Sequence, residues 1–119
     1  MKVVLTVWEN RISPVADSAR KLLILEVENR KIVGRRFEEF AEKFLLNRAG
    51  KLADINGEIF ICGAISEFFA SLIEGYGIRL IPFICGQVDE VLDAYLEGSL
   101  RGPKFLMQDV PTSDAKRGL

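Results

Sequence analysis

The chain has 119 residues, 49% of them apolar, a mean hydropathy of +0.16 and a net charge of −1. This size predicts one domain with a substantial core, and the near-zero net charge provides no basic field for sequence-independent nucleic-acid binding. The absence of histidine from the sequence excludes histidine-based catalytic triads and most zinc sites.

Three strands are predicted in the first third of the chain. Residues Lys2 to Trp8 are apolar on both alternating faces, as in a central strand that is covered on two sides. A loop from Trp8 to Ala19 follows, and Leu22 to Val27 is a second near-continuous apolar run. Asn29-Arg30 can then turn the chain into a third strand at Ile32-Val33, which would form a hairpin.

A first amphipathic helix is predicted to begin at Phe37. The apolar positions that recur at helical spacing are Phe37, Phe40, Ala41, Phe44 and Leu45. The connecting loop is expected between Gly50 and Gly57. Ile59 to Ile61 is short, apolar and bounded, which indicates a buried strand.

The last part of the domain predicts a helix, a strand and a helix. The second helix carries a stripe that we expect to face the core, made of Ile65, Phe68, Phe69, Leu72, Ile73 and Tyr76. The strand from Ile78 to Ile84 contains Pro82, which cannot donate to a ladder, so this strand is expected at a sheet edge. The third helix begins near Val88 and closes at Gly98. The order β-β-β-α-β-α-β-α predicts helices on both faces of the sheet.

The sequence Phe-Ile-Cys-Gly occurs twice, at Phe60–Gly63 and Phe83–Gly86, each time where a strand is predicted to give way to a helix. Parallel sheets bind ligands at the carboxyl ends of their strands, where the following helices present free N–H groups. A helix N-terminus also favours the thiolate, which is the form of cysteine that ligates metal. Cys62 and Cys85 therefore suggest a soft-ligand site for an iron–sulfur cluster or another thiophilic metal.

Residue chemistry leaves other interpretations of the two cysteines open. Cysteine is among the most buried residue types, so both could be core residues, and a disulfide would require Cα atoms within about 7 Å. Two thiolates cannot fill four iron sites, so a cluster would need a homodimer or exogenous ligands. Phosphoester hydrolysis is disfavoured because the strand Val3 to Trp8 contains no carboxylate.

Cysteine usage and hydropathy also predict where the protein works. Two cysteines in a chain with no signal-peptide pattern indicate a reducing, cytoplasmic location. No apolar run approaches the roughly 20 residues that span a bilayer, so we expect no membrane partner. Residues 108–119 are polar and aperiodic, and we expect a loosely ordered tail there.

Four segments stand in an order and spacing that are typical of one family. They are residues 61–66, residues 77–83, residues 85–96 and the early run from Arg11 to Ala19. Together they resemble the dinitrogenase iron–molybdenum cofactor biosynthesis family over about residues 2 to 107. The resemblance implies one nitrogenase accessory factor-like domain over residues 1–107. Its fold would be a three-layer α/β/α ribonuclease H-like motif, with a five-stranded mixed sheet of order 3-2-1-4-5 and strand 2 antiparallel.

The resemblance also implies a function. Such proteins are not enzymes; they bind or carry iron–sulfur or iron–molybdenum-type clusters, or their precursors, in the metallocofactor assembly that serves nitrogen fixation. The cofactor-binding residues would be Ser13, Cys62, Gly63, Ser66, Cys85 and Gly86, with Cys62 and Cys85 as the metal ligands. The partners would be the metallocluster and its protein donor or acceptor. The alternative is an interaction or regulatory module of the same fold that binds no cluster.

Overall fold

A computed structural model of the chain describes residues 1–100, 102 and 104–107, and the predicted tail at 108–119 lies outside these residues. The described elements, in chain order, are β1 (Lys2–Trp8), β2 (Arg11–Ile12), a 3₁₀ turn (Ala16–Ser18), β3 (Lys21–Glu28), β4 (Lys31–Glu39), α1 (Leu45–Asp54), β5 (Ile59–Ile61), α2 (Glu67–Gly75), β6 (Arg79–Ile81) and α3 (Val88–Glu97). None of these helices is long and apolar enough to cross a bilayer.

The strands form one mixed sheet around β1. Its order is β4-β3-β1-β5-β6; β5 runs parallel to β1 and to β6, whereas β3 is antiparallel to both β1 and β4. The five-stranded prediction is not fully matched, because β2 pairs with β1 as a sixth strand. Glu9 makes this extra hairpin possible, since its φ of 55° lies in the left-handed region that a two-residue turn requires.

The sheet is covered on both faces. Val3, Leu5 and Val7 of β1 pack in a core cluster with α3, whereas Val4 packs in a second cluster with α1 and α2. This alternation follows the two-residue period of a strand, so one fully apolar strand contributes to both cores. The predicted mixed α/β architecture with helices on both faces is confirmed.

The Asn29-Arg30 hairpin is present as predicted, but the strand after it is much longer than Ile32-Val33. Both turn residues have positive φ, at 51° and 62°, and Glu28 pairs with Lys31 directly across the turn. The helix predicted from Phe37 is wrong, because β4 continues to Glu39 and α1 begins only at Leu45. The eight residues of β3 offer a continuous edge for pairing, and that tertiary pairing outweighs the helical spacing of the phenylalanines.

The second helix has a narrower buried stripe than predicted. Phe69 and Ile73 of α2 are buried, but Phe68 is 64% exposed and Tyr76 is 52% exposed. A helix that lies on one face of a sheet buries only the side that meets the sheet and the neighbouring helix. The strand after α2 is also shorter than predicted, with Pro82 just beyond its end, and β6 lies at the end of the sheet as expected.

Candidate functional site at the carboxyl edge

The carboxyl ends of β1, β5 and β6 lie at one edge of the sheet, called here the carboxyl edge. Since β4 runs in the same direction as β1, helices α1, α2 and α3 all begin near this edge. Residues 9–20, called here the covering segment, cross it and bond to the turns that follow β5 and β6. All the predicted site residues therefore belong to this edge or to the segment that covers it.

Cys62 lies in the core rather than on an open rim. Its side chain is 0% exposed and belongs to the apolar cluster under α1 and α2, beside Phe60 and Phe69. Burial raises the pKa of the Cys62 thiol well above its ordinary range, and the nearby carboxylate of Asp17 raises it further. The Thr6 hydroxyl, on the neighbouring strand, is also buried and has no hydrogen-bond partner among the residues that the structure describes. This environment stabilises the neutral thiol and opposes the thiolate that metal ligation needs.

Gly63 lies where the backbone of the covering segment passes too close for a side chain. A Cβ atom at this position would lie 2.5 Å from the carbonyl oxygen of Ser13 and 2.6 Å from that of Pro14. The next residue, Ala64, donates its N–H to Pro14 O at 2.8 Å and accepts from Ala16 N at 2.8 Å. The space beside this predicted cofactor-binding glycine is therefore taken by the backbone of the covering segment. Ser13, which belongs to that segment, is itself buried.

The N-terminus of α2 is occupied by a carboxylate from the covering segment. Asp17 accepts the backbone N–H of Ser66 at 3.0 Å and the Ser66 hydroxyl at 2.6 Å. The Ser66 oxygen in turn accepts the N–H of Phe69 at 3.2 Å as the N-cap of the helix. Asp17 thus takes the position at which a helix N-terminus would bind an external anion.

Arg48 fastens the covering segment on both sides of Asp17. Its guanidinium donates to four backbone carbonyls: Phe40 O at 3.0 Å, Glu42 O at 3.1 Å, Ala16 O at 2.9 Å and Ala19 O at 2.6 Å. The group also stacks on the Phe40 ring at 3.8 Å from its centroid. Only 4% of Arg48 is exposed; burial lowers its pKa, and the carboxylates of Glu42 and Asp17 oppose that shift. A buried cation of this kind links the covering segment, the chain before α1 and α1 itself.

Cys85 and Gly86 lie at the same edge, and both are half-buried. The N–H of Cys85 donates to Phe105 O at 2.8 Å, and Gly86 O accepts from Ile12 N at 3.0 Å. Val88, at the start of α3, donates its N–H to Asn10 O. Of the N–H groups after the two glycines, those of Ala64, Ser66 and Val88 are therefore bonded within the chain. Gly86 has a φ of 131°, a conformation that only glycine adopts readily.

The repeated Phe-Ile-Cys-Gly is a repeat of sequence and not of structure. The register that pairs Ile61 with Ile81 places Pro82, not Cys85, level with Cys62. The first copy ends a strand in the core, whereas the second begins beyond the end of β6 at Phe83, whose φ is 61°. Neither cysteine forms a disulfide. The two thiols consequently have different surroundings, and only the Cys85 thiol has partial access to solvent.

The arrangement does not fit a cluster held by both predicted ligands. The Cys62 thiol is sealed beneath the covering segment, and the helix N-terminus beside it is occupied by Asp17. Within the part of the chain that the structure describes, no group of three Cys, Asp or Glu side chains could hold a metal ion. Cys85 is the only predicted metal ligand that could meet a cluster without rearrangement of the covering segment.

Large apolar side chains are exposed around the filled edge. Trp8 at the end of β1, Phe44 just before α1 and Phe68 in the first turn of α2 are 59%, 71% and 64% exposed. Trp8 also borders a groove of about 470 Å³, whose lining includes Ser13, Arg20 and Lys21. We call Trp8, Phe44 and Phe68 the aromatic rim. Exposed aromatic residues of this kind are enriched in protein interfaces.

Sequence reasoning missed the two residues that close the edge. The sequence predicts only a loop at Asp17, because its partner Ser66 is 49 residues away along the chain. Arg48 has a clearer signal, since it lies among Leu45, Ala49 and Leu52 at helical spacing and so falls on the buried face of α1. A cation at such a position must find hydrogen-bond acceptors in the interior.

Comparison with known proteins supports the fold. The structure is similar to the crystal structure of the protein PH0822, with a TM-score of 0.78 and 15% identity over 82% of this chain and 90% of that one. It is also similar to a candidate dinitrogenase from Methanocaldococcus jannaschii (TM-score 0.71, 19% identity, 83% and 90% coverage). A candidate NifB protein from Thermotoga matches with a TM-score of 0.65 and 18% identity over 82% and 89%. No protein-family model and no curated protein matches the chain.

Proposed function

We propose that this protein is a non-enzymatic accessory protein that binds another protein through the aromatic rim of its carboxyl edge. The observation that carries the proposal is the filling of that edge by the chain itself: Asp17 occupies the α2 N-terminus, and Arg48 holds the covering segment in place. An edge whose helix N-terminus is occupied by the chain's own carboxylate, with exposed Trp8 and Phe68 around it, is suited to a protein partner.

The partner's chemistry follows from the groove beside Trp8. The groove is bordered by one large aromatic side chain and by the exposed cations Arg20 and Lys21. A segment that presents an apolar side chain next to carboxylates would complement it. The names of the candidate dinitrogenase and candidate NifB neighbours, together with the family resemblance of the sequence, favour a partner that takes part in nitrogenase-type metallocofactor assembly.

Trp8 provides a direct assay, because it is the only tryptophan in the chain. Once a partner is identified by affinity capture, the purified partner should change the emission of Trp8 on titration, and Phe68→Ser should weaken that binding at least about tenfold, an effect of about 1.4 kcal/mol. Tyr76→Ser is the matched control, because Tyr76 is an exposed aromatic residue at the opposite end of the same helix. Equal loss of binding in the two variants, or an unchanged Phe68→Ser variant, would contradict the rim assignment.

A second candidate function is the carriage of an iron–sulfur or iron–molybdenum-type cluster as cargo. The observation that favours it is the partial exposure of Cys85 at the carboxyl edge. Here Cys85 would be the single protein thiolate, and other ligands would come from the cluster or from its donor or acceptor protein. Cys62 would contribute nothing while its side chain is enclosed.

Anaerobic incubation with iron and sulfide separates the two candidates. Cluster carriage predicts bound iron that is lost in Cys85→Ser and retained in Cys62→Ser. Bound iron that survives Cys85→Ser would contradict this ligand assignment, and iron that never binds the wild-type protein would leave the interaction function as the better explanation.

A further inference from the structure

The outer edge of β4 is open along a strand of nine residues. In the described part of the chain, β4 ends the sheet and pairs only with β3. Phe40 donates its N–H to Arg20 O on the β3 side. Backbone groups alternate in direction along a strand, so those of Arg36 and Glu38 also face β3, and those of Phe37 face outward. An open edge of this kind is a template for another strand.

The charge of the side chains along this edge changes sign at Phe37. The sequence reads Arg35-Arg36-Phe37-Glu38-Glu39, with two cations before the aromatic residue and two carboxylates after it. We propose that two copies of this chain join β4 to β4 in antiparallel pairing, with a two-fold axis at Phe37. In that register Arg35 faces Glu39 of the second copy, and Arg36 faces its Glu38. Opposite charges directly across a strand pair stabilise the pairing.

The faces of the sheet agree with this register. Phe37 lies opposite Leu23, and Arg35 lies opposite Leu25, so both side chains are on the α3 face. A two-fold axis perpendicular to the sheet keeps each face on its own side, and the proposed partners therefore meet on one face. The two Phe37 rings, each 56% exposed in the single chain, would cover each other. Outward-facing backbone groups at Phe37 would exchange N–H···O bonds between the copies.

Other registers are disfavoured by charge. An axis at Arg36 would place two arginines opposite each other, and an axis at Glu38 would do the same with two glutamates. Directly opposed like charges destabilise a strand pair. An axis between two residues would set side chains of one face against those of the other, which the alternation of a strand forbids. Among the centres from Arg35 to Glu39, Phe37 is the one at which the facing charged pairs of this segment have opposite signs.

The ion pairs that these charged residues already make within one chain compete only weakly with the proposed pairs between two chains. Arg36 Nη2 lies 3.1 Å from Glu38 Oε2 within the strand, and Arg35 Nη1 lies 3.9 Å from Asp89 Oδ1 on α3. Both pairs are largely exposed, and exposed ion pairs contribute little. Charged residues on an edge strand usually prevent pairing with unrelated strands. The sign change at Phe37 keeps that protection while allowing the edge to pair with its own copy.

Charge-swap variants test the proposal by sedimentation equilibrium over about a hundredfold range of concentration at low ionic strength. The wild type should form dimers. Glu38→Arg with Glu39→Arg makes every charge in residues 35–39 positive, and Arg35→Glu with Arg36→Glu makes every charge there negative. Each variant should raise the dimer Kd at least about tenfold. An equimolar mixture of these two variants should form heterodimers. The quadruple swap, which restores the sign change in reverse order, should dimerise again.

Glu90→Arg with Asp93→Arg is the matched control, because it makes the same charge change at exposed positions of α3 and should leave the dimer intact. A monomeric wild type overturns the proposal. So does a dimer that persists in both single-sign variants, or a mixture of the two that stays monomeric although circular dichroism shows each variant folded. The inference is independent of the aromatic rim, since Phe68→Ser should leave dimerisation unchanged.

Discussion

Replacement of Arg48 by methionine should destabilise the protein severely, because it removes every hydrogen bond that the guanidinium makes. Three of the four carbonyl contacts, those to Phe40, Ala16 and Ala19, are buried. Ala16 O would still accept the N–H of Ala19 at 3.3 Å, so the loss of hydrogen bonding falls mainly on the carbonyls of Phe40 and Ala19. At about 1–3 kcal/mol for each buried carbonyl left unpaired, the expected loss is about 3–4 kcal/mol. That is a large part of the roughly 5–15 kcal/mol that holds a domain together.

Urea unfolding followed by circular dichroism measures this loss. With a urea m-value of about 2 kcal/mol/M, the midpoint of Arg48→Met should fall by about 1.5–2 M at an unchanged slope. Arg48→Lys should fall between this variant and the wild type, because an ammonium keeps the charge but lacks the planar fork and the stacking on Phe40. Lys51→Met is the matched control on the same helix; its exposed bond to Glu39 O and its long contact with Glu42 should contribute under about 1 kcal/mol.

The same variant should also uncover Cys62. Arg48 holds Ala16 and Ala19, and the covering segment lies across the turn that follows Cys62. A thiol reagent should therefore modify this cysteine faster in folded Arg48→Met than in the folded wild type, through local opening of the segment. A loss of stability under about 1 kcal/mol, with Cys62 still protected, would refute the assignment of Arg48 as the clamp of the covering segment.

Three further variants test the filled edge. Gly63→Ala should cost about 2–4 kcal/mol in urea unfolding, because its Cβ would lie 2.5 and 2.6 Å from two backbone oxygens. Gly75→Ala, whose Cβ would meet no atom of another described segment within 4 Å, should be neutral or stabilise α2 by up to about 1 kcal/mol. Asp17→Ala and Ser66→Ala should each cost about 1 kcal/mol, and the double variant should cost clearly less than the sum; additive losses would show that the two side chains do not interact. Burial raises the pKa of the Cys62 thiol, so the unfolded chain releases that proton at lower pH than the folded one. The stability that the neutral Cys62 thiol contributes is complete below the unfolded pKa of about 8.5 and declines by about 1.4 kcal/mol per pH unit above it. The urea midpoints of wild type and Cys62→Ala, measured from pH 7 to 10, should therefore converge as the pH rises. Midpoints that stay parallel would contradict this.

Local sequence patterns predict the elements whose surroundings are uniform. Residues Lys2 to Trp8 are apolar throughout because helices cover both faces of β1, and that property can be read from the sequence alone. The turn at Asn29-Arg30 is likewise local, since two residues with positive φ suffice to reverse the chain. In both cases the residues that show the pattern are sufficient to explain the structure that they form.

The sequence-based predictions are wrong where a segment that is distant in the sequence determines the local structure. Phe37 and Phe40 have helical spacing, yet the edge of β3 extends far enough to pair β4 as a strand up to Glu39. Phe68 has the spacing of a core residue, but no described element lies over that side of α2. Pairing edges and covering layers are properties of the assembled fold, and a window of a few residues does not contain them.

The roles of the six predicted site residues depend on the covering segment in the same way. A cysteine that follows a strand and precedes a helix has the same local pattern whether it faces a ligand or the interior. Asp17 and Arg48 distinguish these cases, because one occupies the α2 N-terminus and the other fixes the segment that seals Cys62. The cysteine of the first Cys-Gly turn is thus a buried core residue, whereas the cysteine of the second turn is partly exposed. Any chemistry of this protein that uses cysteine should therefore depend on Cys85 alone, unless the covering segment is first released from Arg48.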